Sequence, residues 1–144
     1  MHRFLLMVLV LSGSLGWLHP VMAGDFDGQR SLLCHVDQGH EWHDNGIAKA
    51  FDPESVGLPR AFVIDFQKKE IGPTRESRVR KHTRIMGLGH VEDKLMLQGL
   101  DEGLDGVTDG IAWSMSLSTV NGAFVISAAG HRVGYVVFGS CVAK

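Results

Sequence analysis

The sequence has few of the residues that build linkers, metal ribbons or redox pairs. Four prolines among 144 residues leave no proline-rich spacer. The two cysteines, Cys34 and Cys141, form no C-x-x-C pair, which argues against a thiol redox motif or a zinc ribbon. Neither sign of charge dominates: 14 Lys and Arg stand against 16 Asp and Glu, a formal charge of −2. That balance excludes the basic footprint of a general nucleic-acid binder. There is no G-x-S-x-G elbow and no phosphate-cradling glycine loop, and the His40 to His43 interval is one residue short of an H-E-x-x-H helix. The sequence therefore carries no catalytic motif and reads as a binding protein rather than an enzyme. After residue 23 no apolar run is long enough to span a bilayer. What is plentiful is glycine, with 18 residues, beside 44% hydrophobic residues. That mixture fits one globular domain with many tight turns.

Residues 1–23 read as a secretory signal peptide. His2 and Arg3 precede an apolar run over residues 4–11, small residues follow, and Val21-Met22-Ala23 fits the small-x-small cleavage rule. The expected mature domain is residues 24–144, in the periplasm or secreted. In such an oxidising compartment a lone cysteine pair near the two ends of the chain predicts one disulfide, Cys34 to Cys141.

The dominant periodicity is two, that of strands with one buried face. Ile111, Trp113, Met115 and Leu117 alternate with small or hydroxylated residues, and Phe62, Ile64 and Phe66 repeat the pattern. Residues 94–99, 123–128 and 133–138 read as further strands. Leu32, Cys34 and Val36 share one face of an early strand, and residues 78–88 form a more polar one. Asn121-Gly122 predicts a type I′ hairpin turn, Glu92-Asp93 and Gly130 predict two more turns, and Asp52-Pro53-Glu54 predicts one capped helical turn. Seven or eight short strands joined by hairpins predict an all-β fold, a small antiparallel up-and-down barrel with a lipocalin-like meander. A β-sandwich is the alternative. The disulfide would tie the first strand to the last, where a meander meets itself.

Several short motifs recur in order along the mature chain: Asp25-Phe-Asp-Gly28, Leu32-Leu-Cys34, Leu58-Pro59, Ile64-Asp-Phe66 with Lys68-Lys69, Leu97-Gln-Gly99, Ala112-Trp-Ser-Met115 and Val137-Phe-Gly-Ser-Cys141. In these the chain resembles an uncharacterised group of small exported proteobacterial proteins. Members often carry an extra cysteine pair after the first Cys; residues 37–46 here have none. The resemblance implies export and supplies no site residues.

Three polar clusters remain as candidates for function. His35, Asp37, His40, Glu41, His43 and Asp44 crowd residues 35–44, read as a loop. His40, Glu41, His43 and Asp44 are candidate ligands for Zn or Cu, against the alternative of a solvated polar loop. Arg78, Arg80, His82 and Arg84 alternate, so a strand would present them as a basic stripe for an anionic ligand or acidic partner surface. The other reading of that stripe is a charged outer strand that resists edge-to-edge association. Asp101, Glu102, Asp105 and Asp109 lack EF-hand spacing and read as an acidic turn. Trp113, Met115 and Phe124 are expected to fill the core, the alternative being an aromatic-lined ligand cavity.

Overall fold

The computed structural model describes residues 24–102, 106 and 110–144; the signal-peptide reading and Asp105 and Asp109 lie outside the described residues. Ten strands follow in order: β1 Leu32–His43, β2 Ala48–Ala50, β3 Ala61–Asp65, β4 Glu70–Pro73, β5 Thr83–Arg84, β6 Gly87–Val91, β7 Lys94–Asp101, β8 Ile111–Ser118, β9 Ala123–Ala129 and β10 Val133–Ala143. One 3-10 turn, Pro53–Val56, precedes β3; Asp52 caps it by accepting from the Glu54 N–H, and Pro53 occupies its first turn, as expected.

All strands belong to one antiparallel sheet in the order β5-β4-β3-β1-β10-β9-β8-β7-β6, with β2 paired to β1 off that path. The fold is therefore the predicted meander, curled into a half-barrel, and not two packed sheets. Alternate residues point inward and bury the core: Leu32 and Cys34 on β1, Phe62 and Ile64 on β3, Leu95 and Leu97 on β7, Met115 and Leu117 on β8, Phe124 and Ile126 on β9. Phe62 and Phe124 meet edge to face at 5.7 Å between ring centres, which joins strands that share no hydrogen bonds.

The first and last strands pair along almost their whole length, from Leu32 opposite Ala143 to His43 opposite Val133. Cys34 lies directly opposite Cys141, their Cα atoms are 3.9 Å apart, and the two are disulfide-bonded. The Cys141 N–H is turned to the Gly122 carbonyl, away from β1. The cysteines thus occupy a non-hydrogen-bonded pair, the position where side chains of facing strands come closest. A β-bulge between Val36 and Gln38 absorbs Asp37. Gly139 sits beside it because a Cβ there would fall 2.1 Å from the His35 carbonyl oxygen.

The far side of the curl is joined differently. Thr83 and Arg84 pair with β4, but three residues later, at Gly87, the same chain pairs with β7. At the crossover the Ile85 N–H bonds the Lys69 carbonyl and the Met86 N–H bonds the Gln98 carbonyl, both at 2.8 Å. Gly99 permits this, since a Cβ there would meet the Trp113 ring at 2.3 Å and the Arg84 carbonyl at 2.6 Å.

Two expectations of local structure need correction. Residues 78–82 belong to no strand, so the polar strand over 78–88 is really β5 and β6, preceded by a segment held by side-chain contacts. Asn121-Gly122 is not a type I′ turn: only Gly122 has positive φ, 73°, and its N–H reaches back to the Ser118 carbonyl to close a longer loop. Gly130 lies in the β9–β10 turn as expected, its N–H bonded to the Val133 carbonyl, and the left-handed residue of that turn is Arg132, φ 63°.

Two stability predictions follow from the closure. Reduction of the disulfide, or Cys34→Ala with Cys141→Ala, should lower unfolding stability by about 2–5 kcal/mol, the chain-entropy value for so long a loop being ~4.7 kcal/mol; urea titration with and without reductant measures it. Gly99→Ala should cost more than about 2 kcal/mol, because one of the obstructing atoms is backbone, whereas Gly89→Ala, where a Cβ meets nothing within 4 Å, should cost less than about 1 kcal/mol.

Candidate functional site

The histidine-rich stretch is not a loop. β1 continues through His43, then Asn45 and Gly46 turn the chain into β2. Gly46 adopts φ 79°, its N–H bonds the His43 carbonyl, and the Asn45 Oδ1 accepts from the Ile47 N–H. Strand alternation therefore divides the four candidate ligands. His40 and Trp42 share one face, their rings 6.0 Å apart. Glu41 and His43 share the other. Asp44, beyond the strand, is ion-paired with Arg132. The described residues contain no group of three or more His, Cys, Asp or Glu side chains placed to hold a metal ion.

Glu41 is instead the centre of a structural cluster. It is 9% exposed, pairs with Lys49 at 2.9 Å, and meets the His43 Nε2 at 3.1 Å. These two partners hold its carboxyl below the ordinary 4.5, the Lys49 hydrogen bond contributing most and partial burial opposing it. The sequence reading missed Lys49. The Asn45-Gly46 dipeptide signals the hairpin, and its three-residue turn, closed by the His43 N–H on the Ile47 carbonyl, sets Lys49 opposite Glu41.

The basic residues lie on the segment that enters the crossover. His82 does not join an open stripe: its Nδ1 is 2.6 Å from Glu70, and its ring covers Gly72, where a Cβ would lie 2.7 Å away. Lys81, of opposite parity, is ion-paired with Asp101 on β7. Trp113 donates to the Thr83 hydroxyl at 3.3 Å. These contacts anchor the C-terminal part of the segment. Arg78, Arg80 and Arg84 are exposed, and Arg80 donates to the Arg75 carbonyl at 3.1 Å, so its guanidinium is tied to backbone and not to a carboxylate. Ser77, between Arg75 and Arg78 in sequence, is buried with its hydroxyl unpartnered.

Asp101 and Glu102 are divided by the same logic, Asp101 being held by Lys81 while Glu102 is exposed beyond β7. Beside a recess of about 560 Å³ whose lining includes Asp101 and Glu102 lies one of about 570 Å³ over β7–β9, lined by residues such as Gln98, Leu100, Ala112, Trp113 and Ser127. Its lining contains no carboxylate, imidazole, amine or thiol, so it offers no acid–base pair for hydrolysis.

No family model, curated protein or solved structure matches the chain.

The Glu41 cluster makes a prediction in pH. A carboxyl whose folded pKa is lowered stabilises the fold fully above its unfolded pKa and loses that contribution as pH falls through the folded value. Glu41→Gln should therefore cost about 1–2 kcal/mol near neutral pH. The gap to wild type should close below about pH 4.5, as read from paired thermal melts across pH.

Proposed function

We propose that the protein is an exported, non-enzymatic binding protein that recognises an acidic macromolecular surface through the segment carrying Arg78, Arg80 and Arg84. One observation carries this reading: a run of cationic side chains stands exposed on an anchored strap of a chain whose overall charge is negative. Arg75, Arg78, Arg80, Lys81, His82 and Arg84 fall within ten consecutive residues whose one acidic member is Glu76. The Lys81–Asp101 ion pair and the His82–Glu70 contact hold the strap to β7 and β4, leaving arginines to face outward. Anchoring matters because a pre-ordered cationic surface loses less entropy on association than a free tail.

The packed interior favours the surface over a lumen as the place of recognition. The inward positions that a lipocalin-like carrier would leave for a ligand are taken by Phe62, Phe124, Met115 and the disulfide. Export agrees with the signal-peptide reading and with a disulfide, which persists in oxidising compartments; no helix among the described residues is long and apolar enough to cross a membrane.

An oligoglutamate peptide provides the probe. Isothermal titration at about 50 mM salt should show saturable binding that weakens roughly tenfold or more by about 200 mM. Arg78→Glu with Arg80→Glu should abolish it while leaving the melting temperature unchanged. Absence of binding at low salt, or equal binding by the double variant, overturns the assignment.

A further inference from the structure

We propose that β6 is a self-association edge through which two copies of the chain join their sheets, antiparallel, about a two-fold axis at Gly89. The observation is independent of the arginine strap: the sheet order ends at β6, which pairs with β7 on one side and with no strand among the described residues on the other.

The hairpin geometry says which groups are free. Val91 and Lys94 flank the two-residue turn Glu92-Asp93, where Glu92 has φ 53°, so they form a hydrogen-bonded pair. Antiparallel alternation then turns the N–H and C=O groups of Gly89 and Gly87 toward β7. Those of Leu88 and His90 point away from it. Neither residue makes a backbone bond outside the ladder among the described residues. The strand is exposed along its length apart from Gly87, and Leu88 and Val91 are 47% and 61% exposed. It carries none of the usual protection of an edge, having no Pro, no Lys, no Arg and no inward carboxylate.

A second copy fits this edge better than an arbitrary strand for two reasons. With Gly89 on the axis, Leu88 of each copy faces His90 of the other, so both outward residues exchange their N–H and C=O groups twice over. The axis itself is occupied by glycines, and a Cβ at Gly89 would have open space around it, so the strands approach without obstruction. The flanks are also complementary in charge. With Gly89 on the axis, Glu92 of each copy lies opposite Met86 of the other and diagonal to its Arg84, while Asp93 is held by Lys94 at 2.7 Å, so the cross-copy charge pair is Arg84 with Glu92.

Sedimentation equilibrium of the full mature chain tests this. An edge of five residues makes a small interface, so dimer is expected to grow in between about 0.1 and 1 mM. Leu88→Pro removes a donor that points away from β7, a position where an edge strand accepts proline. It should leave the chain monomeric throughout, with wild-type circular dichroism. Should that variant misfold, the charges give a second reading. Arg84→Glu and Glu92→Arg should each weaken dimerisation several-fold, and the two together should restore it. A wild type that stays monomeric to 1 mM, a folded Leu88→Pro variant that still dimerises, or single charge variants without effect would overturn the proposal.

Discussion

The whole architecture depends on one junction, the pairing of β1 with β10 around Cys34 and Cys141. A meander is a chain of local hairpins, and each hairpin is easily made because its partners are neighbours in sequence. The closing pair is the exception: its residues are 107 apart, so closing it carries the largest loop-entropy cost in the fold. The disulfide fastens that pair at its point of closest approach and buries both sulfurs in the core. The inward row from Leu32 to Val137 can then pack as one continuous cluster.

A sheet closed on one side by covalent pairing must still be finished on the other, and here the solution is weaker. The chain leaves β4 at Arg84 and reaches β7 by Gly87, with Lys81–Asp101, Trp113–Thr83 and Met86–Gln98 as its fastenings. Each is polar and partly open to solvent, so each contributes less than the buried pairing opposite. The exposed features gather at this side: the arginine-bearing segment before the crossover and the unpaired β6 after it. The filled interior moves recognition to the outside, and the incomplete closure supplies the surfaces.

The legibility of the sequence followed the range of the interaction involved. Period-two alternation placed Trp113, Met115 and Phe124 inward because a side chain's face depends on its own strand alone. The capped turn at Asp52 was readable for the same reason, since its hydrogen bond closes within two residues. Turn types were less readable: Asn121-Gly122 is the commonest hairpin dipeptide, but the flanking strands set a longer loop and only the glycine took up positive φ. The stretch 35–44 was misread because its polar residues looked solvated, although β1 runs straight through them. Once it is a strand, His40 cannot stand beside His43.

The amino-acid order by itself determined the all-β class, the division of side chains between core and solvent, and the union of the two cysteines, because alternation and a single cysteine pair leave little choice. Tertiary structure alone decided that Glu41 would be held by Lys49, that His82 would lean on Glu70 rather than join Arg78 and Arg80, and that the segment after β4 would change partners and leave β6 with an open edge. Such outcomes depend on the register between strands. Register is a property of two distant segments at once, and neither segment encodes it alone.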